Sequence, residues 1–302
     1  MSTVVALGGN ALMRPGERGT AAEQLTNLRR AVAALQPLLG EPRLVITHGN
    51  GPQVGNELLR QERAAEEAPP LPLWLAVAQT QAEIGALISA ELRPALGDRE
   101  AACILTHVRI AADDPAFDRP TKPIGPFYSA EQAEQLERER GWLLVPDSNR
   151  GHRRVVPSPE PLEIVELEVI RRLVENGAVA IACGGGGIPV VRRGGRLSGV
   201  DAVIDKDRAS ALLARGLRAE RLLVLTEVPA VYRNFGRSDQ EELRELTAAE
   251  AESLLPELAE GSMRPKVESA LAFGGETLIT NFDALESALA GHGGTRIRGR
   301  MG

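Results

Sequence analysis

The chain of 302 residues is poor in aromatics, in cysteine and, above all, in lysine. At 3% aromatic content it has too few rings for rows of base-stacking platforms. Its charges are of mixed sign, sum to -6 and form no basic block, which argues against nucleic acid and against an anionic membrane surface as partners. No apolar run reaches the ~18 residues that a membrane span needs. The start, MSTVVALGGN, reads as no charged leader, so a cytoplasmic location is expected. Two cysteines, Cys103 and Cys183, both sit in apolar runs that read as buried strands. Reduced core thiols are expected there rather than a disulfide. Of the 35 basic residues only Lys122, Lys206 and Lys266 are lysines; arginine fills the rest.

What is present is ordinary globular material. With 43% hydrophobic and 25% charged residues the chain can build a sizeable core. Strand-like and helix-like segments alternate. Thr3–Leu7 reads as a strand, and Thr20-Ala-Ala-Glu23 is a capping box opening a helix whose face is marked by Leu25, Leu28, Val32 and Leu35. Arg43–Thr47 and Ala101–Thr106 read as further strands, with the amphipathic stretch Leu73–Leu92 between them. From about 113 to 161 prolines and charges cluster and the alternation lapses. This segment reads as an inserted lid subdomain, with Trp142–Val145 as its buried strand. Beyond it come a helix over Leu162–Asn176, a strand over Ala178–Cys183, and a hairpin turning at Gly194 and Gly195. A helix after Asp207, strands over Arg221–Thr226 and Glu276–Thr280, helices near Thr247–Leu258 and Pro265–Ala272, and a terminal helix complete the pattern. Repeated strand–loop–helix units imply a mainly parallel sheet covered on both faces.

Three of the strands run straight into glycine: Leu7 into Gly8 and Gly9, His48 into Gly49-Asn50-Gly51, Cys183 into Gly184–Gly187. In a parallel sheet such ends share one edge, where ligands bind. Glycine brings backbone N–H groups close to an anion, and a following helix adds a favourable dipole. Neither G-x-x-x-x-G-K-[ST] nor G-x-G-x-x-G is present in the right context, so a phosphate cradle here is of another type. The three lysines strengthen the phosphate reading. None lies on an amphipathic helix face; all fall in loops rich in Gly, Pro or Asp. A lysine is a compact point charge with rotatable donors, which suits a phosphoryl group in flight better than the rigid fork of arginine. Asp207, beside Lys206, is the carboxylate placed to orient them.

Several segments together resemble carbamate kinases: Val5-Ala-Leu-Gly-Gly-Asn-Ala-Leu12, Thr47-His-Gly-Asn-Gly-Pro-Gln-Val-Gly55, Pro120-Thr-Lys-Pro-Ile-Gly125, Arg153-Arg-Val-Val-Pro-Ser-Pro159, Ile181-Ala-Cys-Gly-Gly-Gly-Gly-Ile-Pro189, Asp201-Ala-Val-Ile-Asp-Lys-Asp207 and Gly261-Ser-Met-Arg-Pro-Lys266. They cover nearly the whole chain in order. The resemblance implies the amino-acid-kinase fold, a three-layer αβα sandwich with an open, mainly parallel sheet and a small protruding subdomain. It implies an acceptor-binding lobe over residues 1–205, lid included, and a nucleotide-binding lobe over 206–302. The reaction implied is reversible transfer between ATP and carbamate, giving ADP and carbamoyl phosphate, often used to make ATP in arginine-type catabolism. Magnesium would be held mainly by the nucleotide phosphates, and the protein would be a homodimer, with the Leu73–Leu92 helix as a candidate surface.

Carried over by position, Gly8, Gly9 and Asn10 would cradle the transferring phosphoryl group. Gly49, Asn50, Gly51, Gly185 and Gly186 would face the acceptor. Lys122, Lys206, Asp207 and Lys266 would be catalytic, and Thr226, Glu227, Tyr232 and Met263 would join Lys206 and Lys266 around the nucleotide. Many proteins of the wider superfamily carry a lysine two positions before the first Gly-Gly. Here that position is Ala6, and Lys122 would supply the charge. Arg264, Glu227, Pro229 and Ser148-Asn149 depart from the usual pattern. Two rival functions follow from the same residues: a same-fold kinase acting on another small carboxylate or on a nucleoside monophosphate, a larger acceptor needing an anchoring arginine or carboxylate, and a non-catalytic nucleotide-binding regulator, which has no need to keep the lysines.

Overall fold

A computed structural model describes residues 1–14, 16–146, 151–259 and 261–299, and the backbone alone of Asn10 and Pro126. Ser148 and Asn149 lie outside the described residues. Eight strands form the main sheet, in the spatial order Glu245–Thr247, Thr295–Arg298, Glu276–Thr280, Arg221–Leu225, Ser2–Leu7, Arg43–His48, Val179–Ile181 and Ala101–Cys103. Adjacent strands are parallel except that Thr295–Arg298 runs against Glu276–Thr280.

Alternate residues of each central strand feed opposite layers. Val4, Ala6, Val45, Ala180, Leu222 and Val224 pack with Ile170, Leu213, Ala251 and Val267 from the helices Leu167–Glu175, Lys206–Leu217, Ala248–Leu254 and Met263–Phe273. Val5, Leu7, Ile46, Ile181, Leu223 and Leu225 pack instead with Leu28, Ile84, Ile88 and Leu285 from the helices Ala21–Ala34, Leu73–Leu96 and Leu285–Leu289. Strands buried on both faces need continuous apolar runs, which is what these are. The result is an αβα sandwich. The capping box at Thr20 and Glu23 is formed in both directions.

Several boundaries differ from the expectation, each for a local reason. The Ala101 strand stops at Cys103, and the chain restarts as His107–Arg109 in a second, four-stranded sheet with Ile188–Arg193, Arg196–Gly199 and Glu163–Ile164. Pairing of Glu163–Ile164 with that sheet delays the next helix to Leu167. Cys183 is buried, but Cys103 is exposed because its strand is the sheet edge. The long helix continues past Leu92 to Leu96 through Pro94. Its apolar side, including Val77, Ile84 and Leu92, is already spent inside the chain; Gln79, Ala82, Glu83, Ala86 and Ala90 point outward. Past the short helix Leu285–Leu289 the chain adds an unforeseen strand, Thr295–Arg298.

The segment expected to form a lid contains a three-stranded sheet, Lys122–Tyr128, His152–Val156 and Leu144–Pro146, with the helix Ala130–Arg140. Of the expected buried strand only Leu144 is buried; Leu143 is exposed, since so small a sheet covers one face only. Trp142 is held between guanidinium groups, 5.1 Å from Arg140 and 4.2 Å from Arg154. The inner lid strand is fastened to the body by Ile124, which packs with Val54, Ala76, Val77 and Val203.

Ile46 lies at the centre of the sheet and is fully buried. Ile46→Ala is expected to cost about 2–5 kcal/mol of unfolding free energy, measured by denaturant titration.

Candidate active site

Register places the loops. Leu7 is level with Leu225 on one side and with His48 on the other, so three neighbouring strands end in one row. The ladder continues past the strand ends: the N–H of Gly8 donates to Leu225 O at 3.0 Å and that of Gly49 to Leu7 O at 3.2 Å. Ser2–Leu7 is also where the chain's crossovers turn from one side of the sheet to the other, and the crevice outside such strand ends is the usual ligand site of open α/β sheets. A cavity of about 520 Å³ lies there. Three helices begin at its wall, at Gly51, Lys206 and Met263. Their N-terminal N–H groups and dipoles favour an anion in the cavity.

Two glycines are required by the architecture. A Cβ on Gly8 would lie 2.7 Å from Leu225 O, and Gly185, at φ +64°, packs so closely on Asn50 that a Cβ would sit 2.3 Å from Nδ2. Asn50 is fixed from the other side by donating to Thr80 Oγ1 at 2.9 Å. Gly9 and Gly51 differ, for a Cβ there would meet open space. What they supply is room in the cavity they line.

All three lysines converge on this cavity. Lys206 and Asp207 open one helix, and Lys266 lies in the first turn of its neighbour. Asp207 is 4% exposed and takes both ammonium groups, Lys206 at 2.6 Å on Oδ1 and Lys266 at 3.2 Å on Oδ2. Lys266 also donates to Ser262 O. The Lys206 contact is a tight, buried ion pair. Burial opposes ionisation of Asp207, yet the two lysines outweigh it and hold the carboxyl well below the usual range. Burial also lowers the Lys206 pKa, with Asp207 opposing and Lys266 assisting. For Lys266 the balance reverses: burial lowers it, but contact with Asp207 prevails and the pKa rises. From the lid, Lys122 reaches Asp205 Oδ2 at 2.7 Å.

Of the other expected site residues, Gly49, Thr226, Glu227, Tyr232 and Met263 line the cavity. Gly186 does not, being turned against Ile204. The side chain of Asn10 lies outside what is described. Arg264 turns to Glu268 at 3.1 Å, and Pro229 is off the wall. Sequence reasoning missed Asp205, Phe235 and Phe282. Phe235 is 64% exposed and its ring lies 5.8 Å from that of Tyr232, an apolar pair on the cavity lining. An aromatic two residues past Tyr232-Arg233 in a chain so short of rings was the available signal.

This geometry, a glycine-lined anion site on an open α/β sheet with converging lysines, defines a phosphotransferase class, and the comparisons agree. The amino acid kinase family model matches residues 1–277, and the chain belongs to that family. Within it, its close relatives are carbamate kinases. It is 48% identical to the carbamate kinase of Halobacterium salinarum, over 98% of this chain and 97% of that one. It is 46% identical to that of Staphylococcus haemolyticus, over 98% of each. Carbamate kinase from Giardia lamblia bound to AMP-PNP superposes with a TM-score of 0.89 at 37% identity, covering 98% of both chains. An isopentenyl phosphate kinase, at 15% identity and a TM-score of 0.54, shares the fold.

Just before the Gly49–Gly51 loop His48 is 1% exposed. Its Nδ1 lies 3.0 Å from Gly49 O. A carbonyl can only accept, so Nδ1 carries a proton. Burial, with Lys206 adding to it against the Gly49 hydrogen bond, lowers the His48 pKa to about 4. The unfolded chain takes up this proton near 6.5, so stability falls as pH drops from 6.5 towards 4, by roughly 3 kcal/mol at most. Denaturant unfolding at pH 7 and pH 4.5 should show a steeper loss for the wild type than for His48→Gln; parallel curves would exclude a buried neutral ring.

Proposed function

We propose that the chain transfers a phosphoryl group reversibly between ATP and carbamate, forming ADP and carbamoyl phosphate. The observation that carries the reading is the meeting of Lys122, Lys206 and Lys266, the only lysines of the chain, around one glycine-lined cavity. Transfer of a phosphoryl group is mainly a matter of position and charge. Gly8 and Gly9, with Asn10, hold the group in transit. Gly49, Asn50, Gly51 and Gly185 bound the acceptor end, under the roof made by Lys122, Pro123 and Ile124. Thr226, Glu227, Tyr232 and Met263 bound the nucleotide end, with Lys206 and Lys266 on its phosphates. Asp207 fixes those two ammonium groups in place, so that no reorganisation is needed as charge develops. In this reading residues 1–205 serve the acceptor and 206–302 the nucleotide.

A small acceptor is favoured because no described residue lining the cavity is an arginine. A larger carboxylate substrate would need such an anchor. Magnesium fits as a partner of the nucleotide. Among the described residues no group of three His, Cys, Asp or Glu converges to hold a metal, and Asp205 and Asp207 are committed to lysines. Glu227 is a further carboxylate near Lys266, and a bound ion would supply further neutralisation of phosphate charge. No helix among the described residues is long and apolar enough to cross a membrane. We take the protein to be a cytoplasmic homodimer that makes ATP from carbamoyl phosphate in arginine-type catabolism, as its resemblance to carbamate kinases implies.

Formation of ATP from ADP and carbamoyl phosphate with magnesium, followed in a coupled assay, tests the reading. Wild type should be active and Lys206→Arg should lose about 100-fold or more in kcat. An inactive wild type would refute the reaction; a fully active Lys206→Arg would refute the role given to that lysine.

A further inference from the structure

Asp205 stands just before the Lys206 helix and was not expected in the site. Each of its oxygens has a separate task. Oδ1 accepts from the N–H groups of Asp207 at 2.9 Å and Arg208 at 3.3 Å, capping the helix. Oδ2 accepts from Lys122 Nζ at 2.7 Å. The carboxylate is 14% exposed and lines the cavity. Burial disfavours its charge, but Lys122 outweighs burial and keeps the carboxyl ionised. One side chain therefore fixes the start of the helix that carries Lys206 and Asp207, and also the ammonium that arrives from the lid.

We infer that Asp205 is a positioning residue for phosphoryl transfer, holding Lys122 over the reacting group in register with Lys206 and Lys266. The inference rests on the catalytic reading of Lys122 given above. An ammonium has three N–H donors. One stays on Asp205 while the others face the phosphoryl oxygens, so the lysine enters the reaction already oriented. The carboxylate does not repel the phosphoryl group, because its charge is spent on Lys122.

The two tasks can be separated, since asparagine caps a helix about as well as aspartate but carries no charge. Asp205→Asn should keep the cap and melt within about 2 °C of wild type. Its kcat for ATP formation should fall about 10- to 100-fold, the scale of a misplaced catalytic group, with KM for ADP changed less than about two-fold. Lys122→Met should show a comparable loss. The double variant Asp205→Asn/Lys122→Met should be no worse than Lys122→Met alone, because Asp205 acts only through that lysine. Asp205→Ser, another capping side chain without charge, should behave like Asp205→Asn and replaces it if that variant folds poorly.

Wild-type kcat in Asp205→Asn beside an impaired Lys122→Met would overturn the inference and leave the catalytic reading intact. Losses that multiply in the double variant would overturn it too, showing that Asp205 acts by another route. A fully active Lys122→Met would overturn the catalytic reading of Lys122 and this inference with it.

Discussion

One buried carboxylate between two ammonium groups organises the site. Asp207 could not keep its charge at 4% exposure without Lys206 and Lys266, and the two cations could not lie so close without it. The cost of burying all three is offset mutually, and one net positive charge remains, facing the cavity. The rest of the architecture serves to bring them together. Lys206 and Asp207 are set by a helix start, and Lys266 by the first turn of the helix packed beside it. Both helices lie on the same face of the sheet, with Ala211 and Ala270 in one shared core.

The glycine loops supply the complementary half. They come from strands whose ends are level, and that level edge follows from parallel pairing of Ser2–Leu7 with both of its neighbours. The glycines of the loops and the lysines of the helices thus line one cavity.

Much of this was legible in the sequence because it is local or compositional. Apolar runs ending in glycine marked the strand ends, and the flood of arginine made three lysines visible. The elements missed share a different cause. Glu163–Ile164 and Thr295–Arg298 are strands only because distant partners, His107–Arg109 and Glu276–Thr280, lie beside them. Leu143 and Cys103 look like core residues, yet one belongs to a sheet too thin to cover it and the other to an edge. Asp205 caps its helix, a local role. That its second oxygen would meet a lysine 83 residues away is a tertiary fact with no local signature.

The anchoring of the lid strand sets a limit on how Lys122 can work. Two residues beyond it, Ile124 is 1% exposed among side chains of the body. Lifting that stretch from the helices beneath it would uncover the isoleucine, at about 1.5–3 kcal/mol for its side chain alone. The lysine is thus on a short leash. Its backbone is held by the packing of Ile124 and the tip of its four-carbon stem by Asp205, so both ends of the side chain are placed by the body of the protein rather than by the outer strands.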